Sequence, residues 1–315
     1  MWKFGLVLVL AISLFVLHQG LRLRPALSQE PQQTQTDGQP TVVKVGVYVL
    51  NVGKLDTSSG AFTVDFYLSL SCDKPCTPGG FEFANGRATS VDKAVDEPTE
   101  KFYRIQAALV SNLNLSRYPF DEHVLTIQME DRDQTSGTQV YQVSLADTGI
   151  DPAVSIAGWD LKGWDARVVD HYYGIYDTTF SAYQFDLDIK RPVTAALLKS
   201  FLPAITIVLV GLLALLLTPD KILPRLTVTT GSLTGAVLFH LNMTSSVPPV
   251  GYLTFADRFM IVNYVVLAAS LLTTLVALRY IDKKRNDAAE RIHRSAMFVV
   301  PLLLVGLHAL NFLLR

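Results

Sequence analysis

The sequence predicts an all-β, immunoglobulin-like extracellular sandwich followed by an all-α domain of four transmembrane helices. Three observations support this fold class. Half of the 315 residues are hydrophobic, and they concentrate after about residue 190. Before that point, short segments alternate apolar and polar residues, and after it four long apolar stretches occur. A soluble domain followed by a membrane domain has this asymmetry.

The N-terminus has the pattern of an exported protein. Lys3 precedes an apolar run from Phe4 to Leu17, which is short for a spanning helix, and Ala26-Leu27-Ser28 suits signal peptidase. We therefore expect a signal peptide over residues 1–28, with a retained N-terminal anchor as the alternative. Residues 29–40 are rich in Gln, Thr and Pro, a composition typical of a flexible leader.

Residues 41–191 are predicted to form the extracytoplasmic β-sandwich, which would bind a ligand. Between Phe62 and Leu70 every second residue is apolar, and the residues between them are mostly polar or aromatic with a hydroxyl. The same alternation occurs over residues 125–130 and 183–189. Short strands with one polar face, separated by Gly, Asp and Pro, are typical of an antiparallel sandwich.

The chain has two cysteines, Cys72 and Cys76, separated by a segment that contains Asp-Lys-Pro and suits a tight turn. Export would place them in an oxidising compartment, so we expect a local disulfide. A metal site needs more ligands than this pair supplies, and no His or Cys cluster lies nearby in sequence. We therefore expect no bound metal.

Residues 192–315 are predicted to form the four-helix transmembrane pore domain. The four apolar stretches cover about residues 197–218, 223–246, 259–278 and 296–314. Each is long enough to cross a bilayer core of roughly 30 Å.

Basic residues in the links between these stretches predict the orientation. The link between the second and third stretches, residues 247–256, has no Lys or Arg. The other two links contain Lys221, Arg225, Arg279, Lys283, Lys284, Arg285, Arg291 and Arg294. Because basic loops stay in the cytoplasm, the β-domain and the C-terminus are expected outside. The predicted location is the cell inner (plasma) membrane, which the chain crosses several times.

The second apolar stretch is unusually rich in Ser, Thr and Gly for a helix that faces lipid. Spacing of three or four residues places six positions on one helical face, and these are Thr227, Gly231, Thr234, Leu238, Leu241 and Ser245. Small polar groups can line a water-filled path that Leu side chains close by dewetting. Alternatively, Ser, Thr and Gly can hold packed helices together. One helix cannot enclose a pore, so the first interpretation requires an oligomer.

Arg225 would lie at the cytoplasmic mouth of such a pore. Five copies facing the mouth would repel cations and concentrate anions. If the side chains face away, the nearby Asp220 could determine the local charge. An arginine at a helix end can also extend to the membrane interface without any role in conduction.

Several motifs resemble those of prokaryotic pentameric ligand-gated ion channels, the Pro-loop branch of the Cys-loop receptor superfamily. The segment Arg117-Tyr118-Pro119-Phe120-Asp121 resembles the apex of the family's signature loop, and Val124–Met129 follows as its next strand. Gly158-Trp159-Asp160 is similar to the segment beyond the second binding loop. The matching order over most of the mature chain makes the resemblance specific.

Other matching motifs lie at the membrane. Arg191, with Pro203 twelve residues later, resembles the junction into the first membrane helix. Pro248 and Pro249, before Gly251–Asp257, resemble the link from the pore helix to the third helix. Four spans with a short cytoplasmic loop match the prokaryotic branch.

The resemblance implies a homopentamer in contact with membrane lipid and permeant ions, gated by an unknown small-molecule ligand or by protons. It assigns domain coupling to Arg117, Tyr118, Pro119, Phe120, Asp121, Arg191, Pro248 and Pro249, with Asp121 and Arg191 as an ion pair. A static structural pair, and simple loop packing for Tyr118, Pro119 and Phe120, are the alternatives.

The chain also departs from the family pattern. No cysteines bracket Tyr118-Pro119-Phe120-Asp121, which matches prokaryotic members, and Cys72 stands where the family usually has Trp. The following segment is shortened, so an aromatic cage for an amine is incomplete. Aromatic candidates for ligand contact remain in what resembles the capping loop, namely Tyr172, Tyr173, Tyr176 and Phe180. Leu223-Pro224-Arg225 resembles the entrance of anion-selective members, which favours anion or poorly selective conduction.

Other functional classes have little support in the sequence. No Ser-His-Asp order, metal cluster or phosphate loop stands out, so we expect neither catalytic residues nor a cofactor. The net charge of −1 gives no reason to expect a nucleic-acid partner. His123 and His171 could report pH, or could simply pack. A membrane-anchored sensor of the same architecture that does not conduct is the alternative to a channel.

Overall fold

The computed structural model describes residues 39–76, 80–245 and 247–313. The predicted signal peptide and nearly all of the predicted leader lie outside these residues. Within them, strands come first and four long apolar helices follow. This order confirms the predicted fold class, a β-sandwich followed by a four-helix membrane domain.

The described part of the β-domain contains ten strands. They are β1 Thr41–Val52, β2 Ala61–Cys72, β3 Phe81–Phe83, β4 Gly86–Asp96, β5 Glu100–Val110, β6 Glu122–Asp131, β7 Gln139–Val143, β8 Gly149–Ile150, β9 Asp160–Tyr173 and β10 Thr178–Lys190. One sheet has the order β4-β5-β2-β1-β7, with β8 also paired to β1. The other sheet has the order β3-β6-β10-β9. Strands β7 and β8 run parallel to β1, and the remaining pairs are antiparallel.

The period-two pattern of the sequence becomes the core of the sandwich. Along β2, the apolar residues from Phe62 to Leu70 are buried, while the residues between them are exposed or half-buried. Leu125, Ile127 and Met129 of β6 are buried in the same cluster, as are Tyr183 to Ile189 of β10 at alternate positions. Both sheets therefore bury one face against each other, as hydrophobic burial requires.

The two cysteines lie at the end of β2 and in the loop that follows. A disulfide joins Cys72 to Cys76, whose Cα atoms are 6.1 Å apart. It closes a short loop, and Cys76 packs against the core of the sandwich.

Four helices follow the sheets: α1 Val193–Leu216, α2 Ile222–Thr244, α3 Phe255–Asp282 and α4 Asn286–Leu313. Helix α1 contains a π-helical turn over Leu197–Phe201. Helix α4 begins ten residues before the apolar stretch that predicted it, and so includes Arg291 and Arg294. Its first turns are rich in Ala, Glu and Arg, which favour helix although they are too polar for a hydropathy pattern to register.

Candidate pore and domain-coupling sites

Asp121 is a buried carboxylate at the membrane end of the β-domain, just before β6. Its two oxygens accept hydrogen bonds from Arg191, from Nε at 2.8 Å and from Nη2 at 3.0 Å. The ring of His123 lies 2.8 Å from Oδ2 of the same carboxylate. Burial alone would raise the pKa of Asp121, but the hydrogen bonds from His123 and Arg191 outweigh it and lower the pKa to about 2. The carboxylate is therefore held in its charged form.

Arg191 connects this carboxylate to aromatic rings on both sides. Its guanidinium lies 4.3 Å from the ring centre of Trp159 and 5.1 Å from that of Tyr118. Its backbone N–H also donates to the carbonyl oxygen of Asp121 at 3.1 Å. Stacking on aromatic rings and two-point pairing with a carboxylate both use the planar guanidinium, so Lys could not replace it. The sequence showed Trp159 as part of a motif but not as a partner of Arg191.

The loop Arg117–Phe120 rests on the helical domain. The carbonyl oxygen of Tyr118 accepts a hydrogen bond from the backbone N–H of Ala256 in α3 at 3.0 Å, and the Tyr118 hydroxyl donates to the carbonyl oxygen of Met243 in α2 at 3.3 Å. The ring of Phe120 stacks on that of Phe201 in α1, with centres 5.2 Å apart. One short loop thus contacts three helices.

The other residues predicted to couple the domains lie in this loop or in the segment between α2 and α3. Pro119 is buried and Arg117 is exposed. Pro248 is half-buried and Pro249 is exposed, in the segment between α2 and α3. The same segment provides Tyr252, whose hydroxyl accepts a hydrogen bond from the backbone N–H of Leu115 at 2.9 Å.

The six residues predicted to face a pore all lie on the exposed side of α2 in the single subunit, namely Thr227, Gly231, Thr234, Leu238, Leu241 and Ser245. The opposite side of the helix is buried within the subunit at Thr229, Ser232, Ala236 and Met243. A side-chain carbon on Gly211 of α1 would come 3.0 Å from the Cβ of Ser232, so these two helices approach closely there. Some small polar residues of α2 therefore serve helix packing, and others form an exposed face.

In the single subunit Arg225 lies on the buried side of α2, away from the face predicted to line a pore. Its side chain is fully buried, and Nη1 lies 3.3 Å from Nδ1 of His293 in α4. The physical reason is helical geometry: at about 100° per residue, Arg225 is about 200° away from Thr227 around the axis. Asp220, in contrast, is exposed and forms an ion pair with Lys221 at 3.3 Å.

A polar contact that the sequence did not predict joins α2 to α3. One ring nitrogen of His240 lies 2.9 Å from Oδ1 of Asp257, and the other lies 2.9 Å from the hydroxyl of Tyr264. Asp257 also caps α3, because its carboxylate accepts hydrogen bonds from the backbone N–H and hydroxyl of Thr254, both at 2.8 Å. A single carboxylate therefore fixes the start of α3 and holds α2 beside it.

The four aromatic residues proposed for ligand contact lie on the hairpin of β9 and β10. Tyr172 and Tyr176 are exposed, whereas Tyr173 and Phe180 are half-buried and pack edge to face, with ring centres 5.6 Å apart. The Tyr173 hydroxyl donates a hydrogen bond to the buried carboxylate of Glu130. The exposed pair is thus accessible, and the half-buried pair holds the hairpin together.

A second aromatic hollow lies on the other sheet and was not predicted. Its volume is about 190 Å³, and it is lined by Tyr48, Tyr67, Phe102 and Asp147 together with small residues. The rings of Tyr67 and Phe102 stack with centres 5.1 Å apart. Aromatic faces beside a carboxylate suit an organic cation. Tyr67 lies on the outward face of β2. A large aromatic residue at an outward strand position is the sequence feature that could have indicated this hollow.

The fold and these contacts define a class: a multi-pass membrane protein in which one loop of a β-sandwich contacts three of the four membrane-spanning helices that the structure describes. No family model matches the chain. A proton-gated ion channel of Gloeobacter violaceus is 22% identical over 291 residues, which are 84% of this chain and 80% of that protein. The pH-sensitive chloride channel 2 of Drosophila melanogaster is 22% identical over 207 residues, which are 62% of this chain and 39% of that protein.

Sequence similarity and architecture agree in supporting the family of pentameric ligand-gated ion channels for this chain. This confirms the resemblance drawn from the motifs. Both relatives are named as ion channels rather than as enzymes.

Proposed function

We propose that the chain is a subunit of a homopentameric ion channel, in which five copies of α2 surround the pore and the β-domain responds to protons or a small ligand. The support is the similarity to two proteins named as ion channels, together with the direct contacts between the β-domain and α1, α2 and α3. A change in the sandwich could reach the membrane helices through these contacts.

The observation that carries this proposal is the exposed face of α2. In the single subunit this face includes Thr234, Leu238 and Leu241, while the opposite side of the helix is buried at Ser232 and Ala236. Thr227 and Gly231 continue the same face toward the end that bears Arg225. A face that is polar at one end and leucine-rich at the other suits a water-filled path with a hydrophobic constriction.

Charge selectivity is proposed to be low. Arg225 is buried against His293, so its charge is withdrawn from the entrance. The exposed charges before α2 are Asp220 and Lys221, which are opposite in sign and paired with each other. A ring of such pairs would create only a small net field for ions of either sign.

We propose an orientation with the β-domain and the C-terminus outside the inner membrane. The short link Lys283–Arg285 and the nearby Arg291 and Arg294 form a basic end of the helical bundle, which favours the cytoplasmic side. The disulfide between Cys72 and Cys76 suits an oxidising exterior.

Protons are the favoured stimulus, because one relative is named for gating by protons and the other for sensitivity to pH. A small organic cation is the second candidate. The hollow around Tyr48, Tyr67 and Phe102, with Asp147 at its edge, offers aromatic faces and a negative charge.

The test is current through the purified full-length protein in planar bilayers with a salt gradient. We expect unitary currents that change when the pH on the β-domain side is stepped from about 8 to about 5, the range in which imidazole changes charge. Small amines and acids would then be added at fixed pH. Silence from verified pentamers under all these conditions would contradict the channel and favour a membrane-anchored sensor without conduction.

A further inference from the structure

Glu130 is a carboxylate buried in the second sheet, only 2% exposed. Its strand, β6, is separated from β9 by β10. Nevertheless both side-chain partners of Glu130 are on β9: Nδ1 of His171 lies 2.7 Å from Oε2, and the hydroxyl of Tyr173 donates to Oε1. The carboxylate therefore holds the far strand of the hairpin across the intervening one.

The register explains how these side chains meet. Glu130 is opposite Ala182 on β10, and Ala182 is opposite Val169 on β9. His171 and Tyr173 follow Val169 at steps of two, so all of them lie on one face of the sheet. Because Ala182 has only a methyl group, it leaves room for the longer side chains to meet above β10.

Beyond this point the backbone N–H of Ser136 donates to the carbonyl oxygen of Thr179 at 2.9 Å, and the rest of the hairpin extends into solvent. Its tip is highly exposed, with Ile175 91% exposed and Tyr176 also in contact with solvent. Tyr172 donates to Asp177 at 2.9 Å, a contact within the hairpin itself. The rings of His171 and Tyr173 lie 4.3 Å apart and form one unit that anchors the hairpin to Glu130.

Several other ionisable groups lie around this unit. Burial, reinforced by the hydrogen bond to Glu130, raises the pKa of Tyr173, so its phenol stays protonated and donates. Glu82 on β3 is opposite Glu130 and is 3.8 Å from Arg132, which follows β6.

Two further ionisable groups lie near the carboxylate but not on its face of the sheet. Asp131 is next to it in β6, and burial, followed by the charges of Asp131 and Glu130, raises the pKa of Tyr141 on β7. Phe180, opposite His171 on β10, has no charge. Among the residues that the structure describes, His171 is thus the base that is hydrogen-bonded to Glu130. Its side chain is 35% exposed to solvent.

We propose that His171 and Glu130 form a proton-operated clamp on the β9–β10 hairpin. With neutral imidazole the contact is an ordinary hydrogen bond, and with imidazolium it becomes a charge-assisted bond to a buried carboxylate, which is stronger. The clamped state therefore binds the proton more tightly than the released state does, so falling pH favours the clamp and rising pH releases it. That the clamp acts on a pore rests on the proposed function, but the clamp itself does not.

The test follows the hairpin directly in the full-length protein reconstituted in lipid. A nitroxide is attached to the protein with Ile175→Cys, at the exposed tip of the hairpin. The new side chain is the thiol that reacts, because Cys72 and Cys76 are joined in a disulfide. We expect its mobility by electron paramagnetic resonance to fall as the pH is lowered from about 8 to about 5. In His171→Gln, which keeps a donor but cannot gain a charge, this transition should be lost.

Asp170→Asn is the matched control, because Asp170 is the exposed neighbour of His171 on the same strand. It should keep the wild-type transition. The melting temperatures of His171→Gln and wild type should agree at pH 8 and diverge at pH 5, which separates loss of the clamp from misfolding. A transition in His171→Gln equal to that of wild type would overturn the proposal.

Current recordings on the same variants separate this proposal from the channel. If the mobility of the label changes with pH as expected but no current ever flows, the clamp is supported and the channel is contradicted. If currents respond to pH equally in wild type and His171→Gln while the label titrates only in wild type, the channel stands and the clamp does not gate it.

Discussion

The guanidinium of Arg191 meets the carboxylate of Asp121 through two hydrogen bonds, of 2.8 and 3.0 Å, and a third bond joins their backbones. Arg191 follows β10, and Val193 begins α1 two residues later. Asp121 directly follows the loop that rests on α1, α2 and α3. This pair therefore fixes the loop to the segment that leads from β10 into α1.

Acid should weaken this connection. The pKa of Asp121 is lowered from 3.8 to about 2 in the folded protein, so the pair stabilises the fold above pH 4 and the contribution is lost as the pH falls toward 2. The difference corresponds to roughly 2 kcal/mol of unfolding free energy. We expect the melting temperature of the wild type to fall between pH 4 and pH 2 by more than that of Asp121→Asn.

Asp121→Asn should be less stable already at pH 6, because it leaves the partly buried charge of Arg191 without its counterion, at a cost of about 3–5 kcal/mol if the site stays dry. Asp170→Asn, which removes an exposed carboxylate, serves as control and should follow the wild type. Equal acid sensitivity in the wild type and Asp121→Asn would contradict the assignment.

Asp220, which offsets the charge of Lys221, is expected to influence ion selectivity more than Arg225 does. Asp220→Asn leaves Lys221 without its partner, so the reversal potential in a salt gradient should move toward that of anions. Arg225→Gln should leave the reversal potential unchanged, since that side chain lies against His293. A larger shift in Arg225→Gln than in Asp220→Asn would show that the arginine reaches the permeation path.

Arg225 should also be dispensable for stability. Nε and Nη2 of its buried guanidinium have no hydrogen-bond partner among the residues that the structure describes. Replacing a poorly compensated buried charge by an apolar side chain of similar length is often neutral or stabilising. We therefore expect Arg225→Met to keep or raise the melting temperature, and a clear decrease would indicate that the guanidinium has a partner in the assembled protein.

Asp257 should matter more than an ordinary helix cap. Thr254→Ala removes the cap hydroxyl of α3 and should cost about 1 kcal/mol. Asp257→Ala removes the cap carboxylate and also the contact with His240, so we expect a further loss of about 1 kcal/mol. The free energy of unfolding is measured by chemical denaturation for the wild type, Asp257→Ala, His240→Leu and the double variant. If the two single losses of free energy add up to that of the double variant, His240 and Asp257 do not interact.

Local patterns were sufficient to predict much of this molecule. Alternation along β2 and β10 predicted which residues enter the core, because strand geometry alone decides the face. Spacing of three and four likewise grouped Thr227 to Leu241 on one face of α2, and the grouped residues are exposed in the single subunit. The same spacing argument applied to Arg225 would have placed it on the buried side.

The remaining contacts depend on the folded chain. Glu130 and His171 are 41 residues apart and meet across a strand that carries Ala182 between them. Asp257 and His240 belong to different helices, and no local pattern indicates that they touch. Such pairs become visible only when the register of the strands and the rotation of the helices are known.

The central claim is that the exposed face of α2 lines a conducting pore. The most direct test is block of current by a thiol reagent small enough to permeate, applied to Thr234→Cys, with Ser232→Cys as the control because Ser232 is buried two residues away. We predict rapid, irreversible loss of current in Thr234→Cys and none in Ser232→Cys. Equal block in both, or loss of current in Ser232→Cys alone, would contradict the assignment of this face to the pore.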